Sequence, residues 1–131
     1  MLADLAAYLE IRGIGSTTAT PPSIVTGFVP NVPDVCVILF EYAGRAPILT
    51  NDDRTLELPG LQVRTRAGRA GYSAAKTKAK AVEAALLDVQ NTELSGTRYL
   101  SIVPTGAIAL LEWEKGGRPV LVQNFTVRKQ M

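Results

Sequence analysis

Few residues in this chain have the types and spacing to do chemistry. Ser73-Ala74-Ala75-Lys76 has the Ser-x-x-Lys spacing in which a lysine helps to activate a serine nucleophile at a helix start. The companion motifs of such enzymes are missing, and 131 residues are too few for their fold. The stretch therefore reads as a capping serine followed by a solvated lysine. Asp52, Asp53 and Glu57 offer carboxylates to a cation, but the ligand spacing of an EF-hand loop is absent, and a solvated turn is the better reading. Gly13-Ile14-Gly15 lacks the preceding strand and following helix of a dinucleotide-binding loop, and no Gly-Lys-Ser/Thr follows it. The chain has no histidine and a single cysteine, which removes histidine triads, Cys/His zinc sites and internal disulfides. Cys36 lies inside an apolar run and reads as a buried small hydrophobe from a reducing compartment. No catalytic group, metal or cofactor is expected.

Arginines are the more suggestive residues. Arg64, Arg66 and Arg69 can share one side, with Tyr72 nearby, as a nucleic-acid surface would require. On a helix, however, Lys76 and Lys80 lie about 40° apart and Lys78 sits roughly opposite both, so the lysines form no single basic face. The net charge of +2 is too small for a general polyanion binder. A solvated strand face or a subunit contact is the stronger reading.

The element that positions these arginines runs from Leu61 to Gln90. Leu61, Val63 and Thr65 alternate with Gln62, Arg64 and Arg66, which predicts a strand with one core face and one open face. After the turn Ala67-Gly68-Arg69-Ala70-Gly71, Ser73 is placed to cap a helix. Ala75, Ala79, Val82, Leu86 and Val89 then form one apolar stripe, leaving Lys76, Lys78, Lys80, Glu83 and Asp88 solvated. Asn91 or Ser95-Gly96 is expected to end this helix.

Upstream, Leu2, Leu5, Ala6 and Leu9 predict a short amphipathic helix ended by Gly13, with acidic residues that exclude a signal peptide. No apolar run approaches the roughly 18 residues needed to cross a bilayer, so a soluble chain is expected. Ser23–Phe28, flanked by Pro21-Pro22 and Pro30, predicts a short strand at an edge or a lip. Val35–Phe40 is apolar on both faces and predicts a central strand, its second side covered in part by another subunit. Glu41–Gly60 is long for a connection and predicts a projecting arm, with Asn51-Asp52-Asp53 turning a small hairpin between Ile48-Leu49 and Leu56–Leu58. Tyr99–Val103 predicts a strand, and Leu110–Glu114 with Val120–Val127 a hairpin around Lys115-Gly116-Gly117-Arg118. Trp113 reads as a core anchor, and Arg128 and Lys129 as a solvated tail. At 47% hydrophobic residues the chain can bury a real core. The sum is a single α+β domain: a largely antiparallel or mixed β-sheet, an N-terminal and a central helix packed on it, and a C-terminal β-hairpin.

This order resembles the tail terminator, or minor capsid, family of long-tailed bacteriophages. The resemblance lies in the helix ending at Gly13-Ile14-Gly15, Pro33-Asp34 leading into Val35–Phe40, and Leu61–Arg66. It continues through the Tyr72–Leu87 helix, Tyr99–Pro104, Gly117-Arg118 and Asn124-Phe125-Thr126-Val127. It covers nearly the whole chain, although relatives often carry an Asp before the Gly-Arg turn where this one reads Trp113-Glu114-Lys115. The resemblance implies a structural virion protein, assembled in the bacterial host cytoplasm and placed at the head-proximal end of the tail. There a hexameric ring caps the tail tube, stops its polymerisation and offers the surface that joins the head. It implies as partners other copies of the chain, the tail tube protein and a head-completion or connector protein. DNA would pass through the ring without specific binding, and no membrane is involved. Arg45, Asn51, Asp52, Asp53 and Arg54 in the arm would contact the tube or a neighbouring subunit, and Arg64, Arg66, Arg69 and Tyr72 would face a neighbour or the ring opening. The alternatives are another head-to-tail connector, such as a completion or stopper protein, and a nucleic-acid-binding module that uses the arginine face.

Overall fold

A computed structural model describes residues 1–49 and 55–130. The chain forms α1 (Leu2–Ile11), β1 (Ile24–Thr26), β2 (Cys36–Leu49), β3 (Thr55–Arg66), α2 (Tyr72–Leu87), β4 (Gln90–Leu94), β5 (Thr97–Pro104), β6 (Ala109–Glu114) and β7 (Arg118–Gln130). The strands make one mixed sheet in the order β1-β2-β3-β7-β5-β4, and β6 also pairs with β7. β1 runs parallel to β2 and the other pairs are antiparallel. β7 is bordered on one side by β3 along most of its length and on the other by β5 and β6 in succession.

Both helices lie on one face of this sheet. Leu5 and Leu9 of α1 and Val82, Ala85 and Leu86 of α2 share a buried cluster with Val37, Leu39, Leu61, Val63, Phe125 and Val127. The period-two pattern of the strands meets the 3.6-residue pattern of the helices in a single core. α1 ends as expected: Gly13 takes φ +79°, a conformation open to glycine, and the Ile14 N–H donates to Leu9 O at 3.0 Å.

The start of α2 differs from the expectation. Gly71, not Ser73, occupies the cap position, and no side chain caps the helix. The turn before it closes through Gly71 N–H to Gly68 O at 2.9 Å, which commits the backbone to helix two residues early. α2 also ends earlier, at Leu87, because Val89 is drawn into the core and Gln90 opens β4. Ser95-Gly96, both at positive φ, turn the β4–β5 hairpin instead.

The two other departures bear on function. Within Glu41–Gly60 the described residues are strand: β2 runs on to Leu49 and β3 begins at Thr55, the two paired with register shifts between Tyr42 and Arg45 and between Arg45 and Ile48. The small hairpin between Ile48-Leu49 and Leu56–Leu58 is thus the outer part of a longer one, while the predicted turn at Asn51-Asp52-Asp53 lies outside the described residues. On the second side of Val35–Phe40 only Phe40 is left half-buried. Cys36 and Ile38 are buried within the single chain, where the preceding proline-rich segment is tied to the helix-free face.

Candidate interaction surface

The tie is made by Arg66. It extends β3 with its side chain on the helix-free face and is 1% exposed. Its Nε donates to Asp34 O at 3.0 Å, Nη1 to Pro30 O at 2.7 Å and Nη2 to Pro33 O at 2.7 Å. Nη1 also meets Glu114 Oε1 at 3.2 Å. A planar fork with five donors is suited to gathering several carbonyls that have lost their water. Arg118 repeats the pattern nearer the surface, donating to Asn31 O at 2.8 Å and Asp34 Oδ1 at 3.1 Å and pairing with Glu114 Oε1 at 3.1 Å. Together they hold the segment Phe28–Val35 as a fixed lip. The lip turns Phe28, Val29, Val32 and Val35 outward. Four apolar side chains on one rigid surface segment are what a partner contact needs. A groove of about 520 Å³ runs beside it, between Val35 and the outer side of α2 at Ser73, Thr77 and Ala81.

Beyond the lip the helix-free face is polar. Arg64 lies over the Phe40 ring at 4.8 Å, and its Nε donates to Gln62 Oε1 at 2.9 Å. Gln62 in turn donates to Asn124 Oδ1 at 3.2 Å. Farther along, Arg45, Leu58, Val103, Thr105, Thr126 and Arg128 line a concavity of about 370 Å³. Tyr42 lies over Gly60, where any Cβ would strike its ring, so the arm is packed down at its root. At its far end Leu49 is 82% exposed.

The residues singled out from the sequence therefore divide. Arg64 and Arg45 lie on the open face, and Arg69 is exposed in the turn next to Gly117. Arg66 is drawn inward and cannot reach a neighbour. Asn51, Asp52, Asp53 and Arg54 lie outside the described residues. Tyr72 is half-exposed and stacks on Trp113, with ring centroids 6.5 Å apart. Trp113 is no core anchor: it is 51% exposed, because β6 forms a margin of the sheet beyond the reach of α2's apolar stripe. Arg128 and Lys129 are strand residues; Lys129 Nζ pairs with Glu57 Oε2 at 3.2 Å. The period-two alternation continued from Val122 through Thr126 would have put Arg128 on the open face. Lys78 is likewise not free, since its Nζ donates to Ile14 O at 2.6 Å.

Ionisable groups in the interior serve the fold. Burial pushes the Cys36 thiol up, which keeps it protonated and unreactive. Tyr99 is fully buried and donates to Asp4 Oδ2 at 2.7 Å, tying β5 to α1. Burial first and the Asp4 carboxylate second push its phenol far above the usual range. A raised folded-state value means that its contribution is complete below the unfolded value of about 10 and is lost as pH rises beyond it. Tyr99→Phe is expected to lower stability by about 1 kcal/mol at pH 7 and to flatten the fall in stability above about pH 10. Urea unfolding at pH 7 and pH 10.5 measures both, and an unchanged alkaline slope would reject the assignment.

Among the described residues no helix is long and apolar enough to cross a membrane. The family of bacteriophage tail terminator proteins matches residues 8–131 of the chain. Among curated proteins none matches. A chain solved in the virion of a native gene transfer agent (GTA) particle superposes with a TM-score of 0.69 over 100% of this chain and 95% of that one. At 15% identity this is a likeness of fold.

Proposed function

Because the chain belongs to the bacteriophage tail terminator family, a structural family of the virion tail, we propose that it forms a ring on the head-proximal end of the tail tube. There it stops tube polymerisation and presents a surface to the head. The observation that carries this reading is the arm: β2 runs on past the core beside β3, which is itself paired with β7 as far as Leu56, and the β2 residues from Glu41 to Leu49 are all exposed. An outer strand that continues beyond its own core with Ile48 and Leu49 uncovered is built to touch something else. The rigid apolar lip at the opposite end of β2 gives the subunit a second contact surface, as a ring flanked by two assemblies needs. The tail tube protein and a head-completion or connector protein are the partners this assigns, with DNA threading the opening. A nucleic-acid-binding role loses one of its three arginines, since Arg66 is spent on the lip.

Polymerising tail tube protein is the direct test. Added in proportion to tube ends, this protein is expected to stop elongation and to decorate one end of each tube in electron micrographs. Tubes that grow as in its absence, or decoration of heads alone, would overturn the reading, the latter in favour of a head-side connector.

A further inference from the structure

The sheet has open edges at β1, at β4, along the arm of β2 and at β6. Exposed strand edges invite pairing with other chains, and most of these are guarded. β1 is three residues long and lies between Pro21-Pro22 and Pro30. β4 is largely polar, with Gln90, Asn91 and Glu93 exposed. The arm carries Pro47 and two register shifts. β6 has only a register shift against β7, between Leu110 and Glu112. It lacks proline, and Ala109 through Trp113 are exposed one after another, including Leu110, Leu111 and Trp113. Its central charge, Glu112, is exposed and takes part in no ion pair among the described residues.

The opposite charge stands at the other end of the same face. Arg45 and Arg128 line one concavity with the Thr105 and Thr126 side chains and an apolar wall of Leu58 and Val103. Both are exposed, neither is in an ion pair among the described residues, and no acid lines the site. Two guanidinium groups facing one hollow repel each other until a carboxylate sits between them. The chain's own Glu112 cannot do so. It pairs with Val120, and Arg128 lies eight residues farther along β7, roughly 26 Å away at strand rise.

We propose that β6 of one copy docks on the helix-free face of the next, with Glu112 entering the concavity between Arg45 and Arg128. Donor and acceptor surfaces are different parts of the subunit, so the contact is head-to-tail and propagates around a closed ring. The inference rests on the ring reading and names its subunit interface.

The test is a charge exchange on the full-length chain, read by light scattering across a concentration series and by decoration of tube ends. Arg45→Glu and Glu112→Arg, each alone, are expected to weaken association about ten- to a hundredfold, and the two together in one chain to restore most of it. Melting temperatures held near wild type would show that the fold is intact. Single variants that assemble like wild type, or a double variant no better than either single, would overturn the interface while leaving the capping role standing. A wild-type chain that stays monomeric in solution and on tubes would overturn the ring reading itself.

Discussion

Arg66→Ala is expected to melt roughly 10–20 °C below the wild-type chain, from a loss of about 3–5 kcal/mol. Removing the guanidinium leaves the carbonyls of Pro30, Pro33 and Asp34 without their donors beneath the lip. Each buried polar group stripped of its partner costs about 1–3 kcal/mol. It also leaves a cavity between the lip and the sheet. Arg66→Lys is expected to recover little, because a single ammonium cannot serve three carbonyls spread around a fork. Arg118→Ala, whose bonds are nearer to solvent, is expected to cost less than half as much. Thermal unfolding followed by circular dichroism decides the matter. A loss under about 1 kcal/mol for Arg66→Ala would mean that the lip is not held by this side chain.

The second large effect is local. A Cβ on Gly44 would lie 1.9 Å from Leu58 O and 2.7 Å from Gly60 N, both backbone atoms of the paired strand. No rotamer change relieves such a clash, so Gly44→Ala must push the two strands of the arm apart. An overpacking cost of about 3 kcal/mol corresponds to roughly hundredfold faster amide exchange in the outer arm. The core lies below the clash and its protection is expected to stay as it was. If the arm contacts the tube, capping fails in the same variant although the protein remains folded. Gly106→Ala is the control, because a Cβ there meets nothing within 4 Å. Equal exchange in the two variants would reject the argument.

Much of this architecture could be read from residue spacing. The α2 stripe from Ala75 to Leu86, the alternation in Leu61–Arg66 and the glycine turn at Gly116-Gly117 each state a local rule that the tertiary structure obeys. What escaped was decided over long distances. Arg66 alternates on the open face like Arg64, and nothing in its neighbours along the chain says that a segment 32 residues upstream will fold over it. Trp113 looked like an anchor because tryptophan usually is one; its exposure follows from β6 lying at the sheet margin, which is a matter of strand order. The arm was read as a long connection with only a small hairpin at its tip, because Gly44, Pro47, Pro59 and Gly60 hide the strand pattern locally, whereas β2 and β3 stay paired across register shifts. For the open face, Arg45 was legible as a charge in a projecting element. Its companionship with Arg128 was not, since the two are 83 positions apart in a sequence where only pairing brings them together.

The position of β7 has a consequence for when a subunit becomes competent. The strand in the middle of the sheet, bonded to β3 on one side and to β5 and β6 on the other, follows every other described element along the chain. A ribosome that has made everything up to β6 has therefore made two half-sheets with nothing to join them, and Leu61 and Ile102 still lack their partners Phe125 and Val127. Such a nascent chain cannot close its core, and contacts of such long sequence separation form late. A chain without β7 has neither a closed core nor the Arg118 bonds that hold the lip in place.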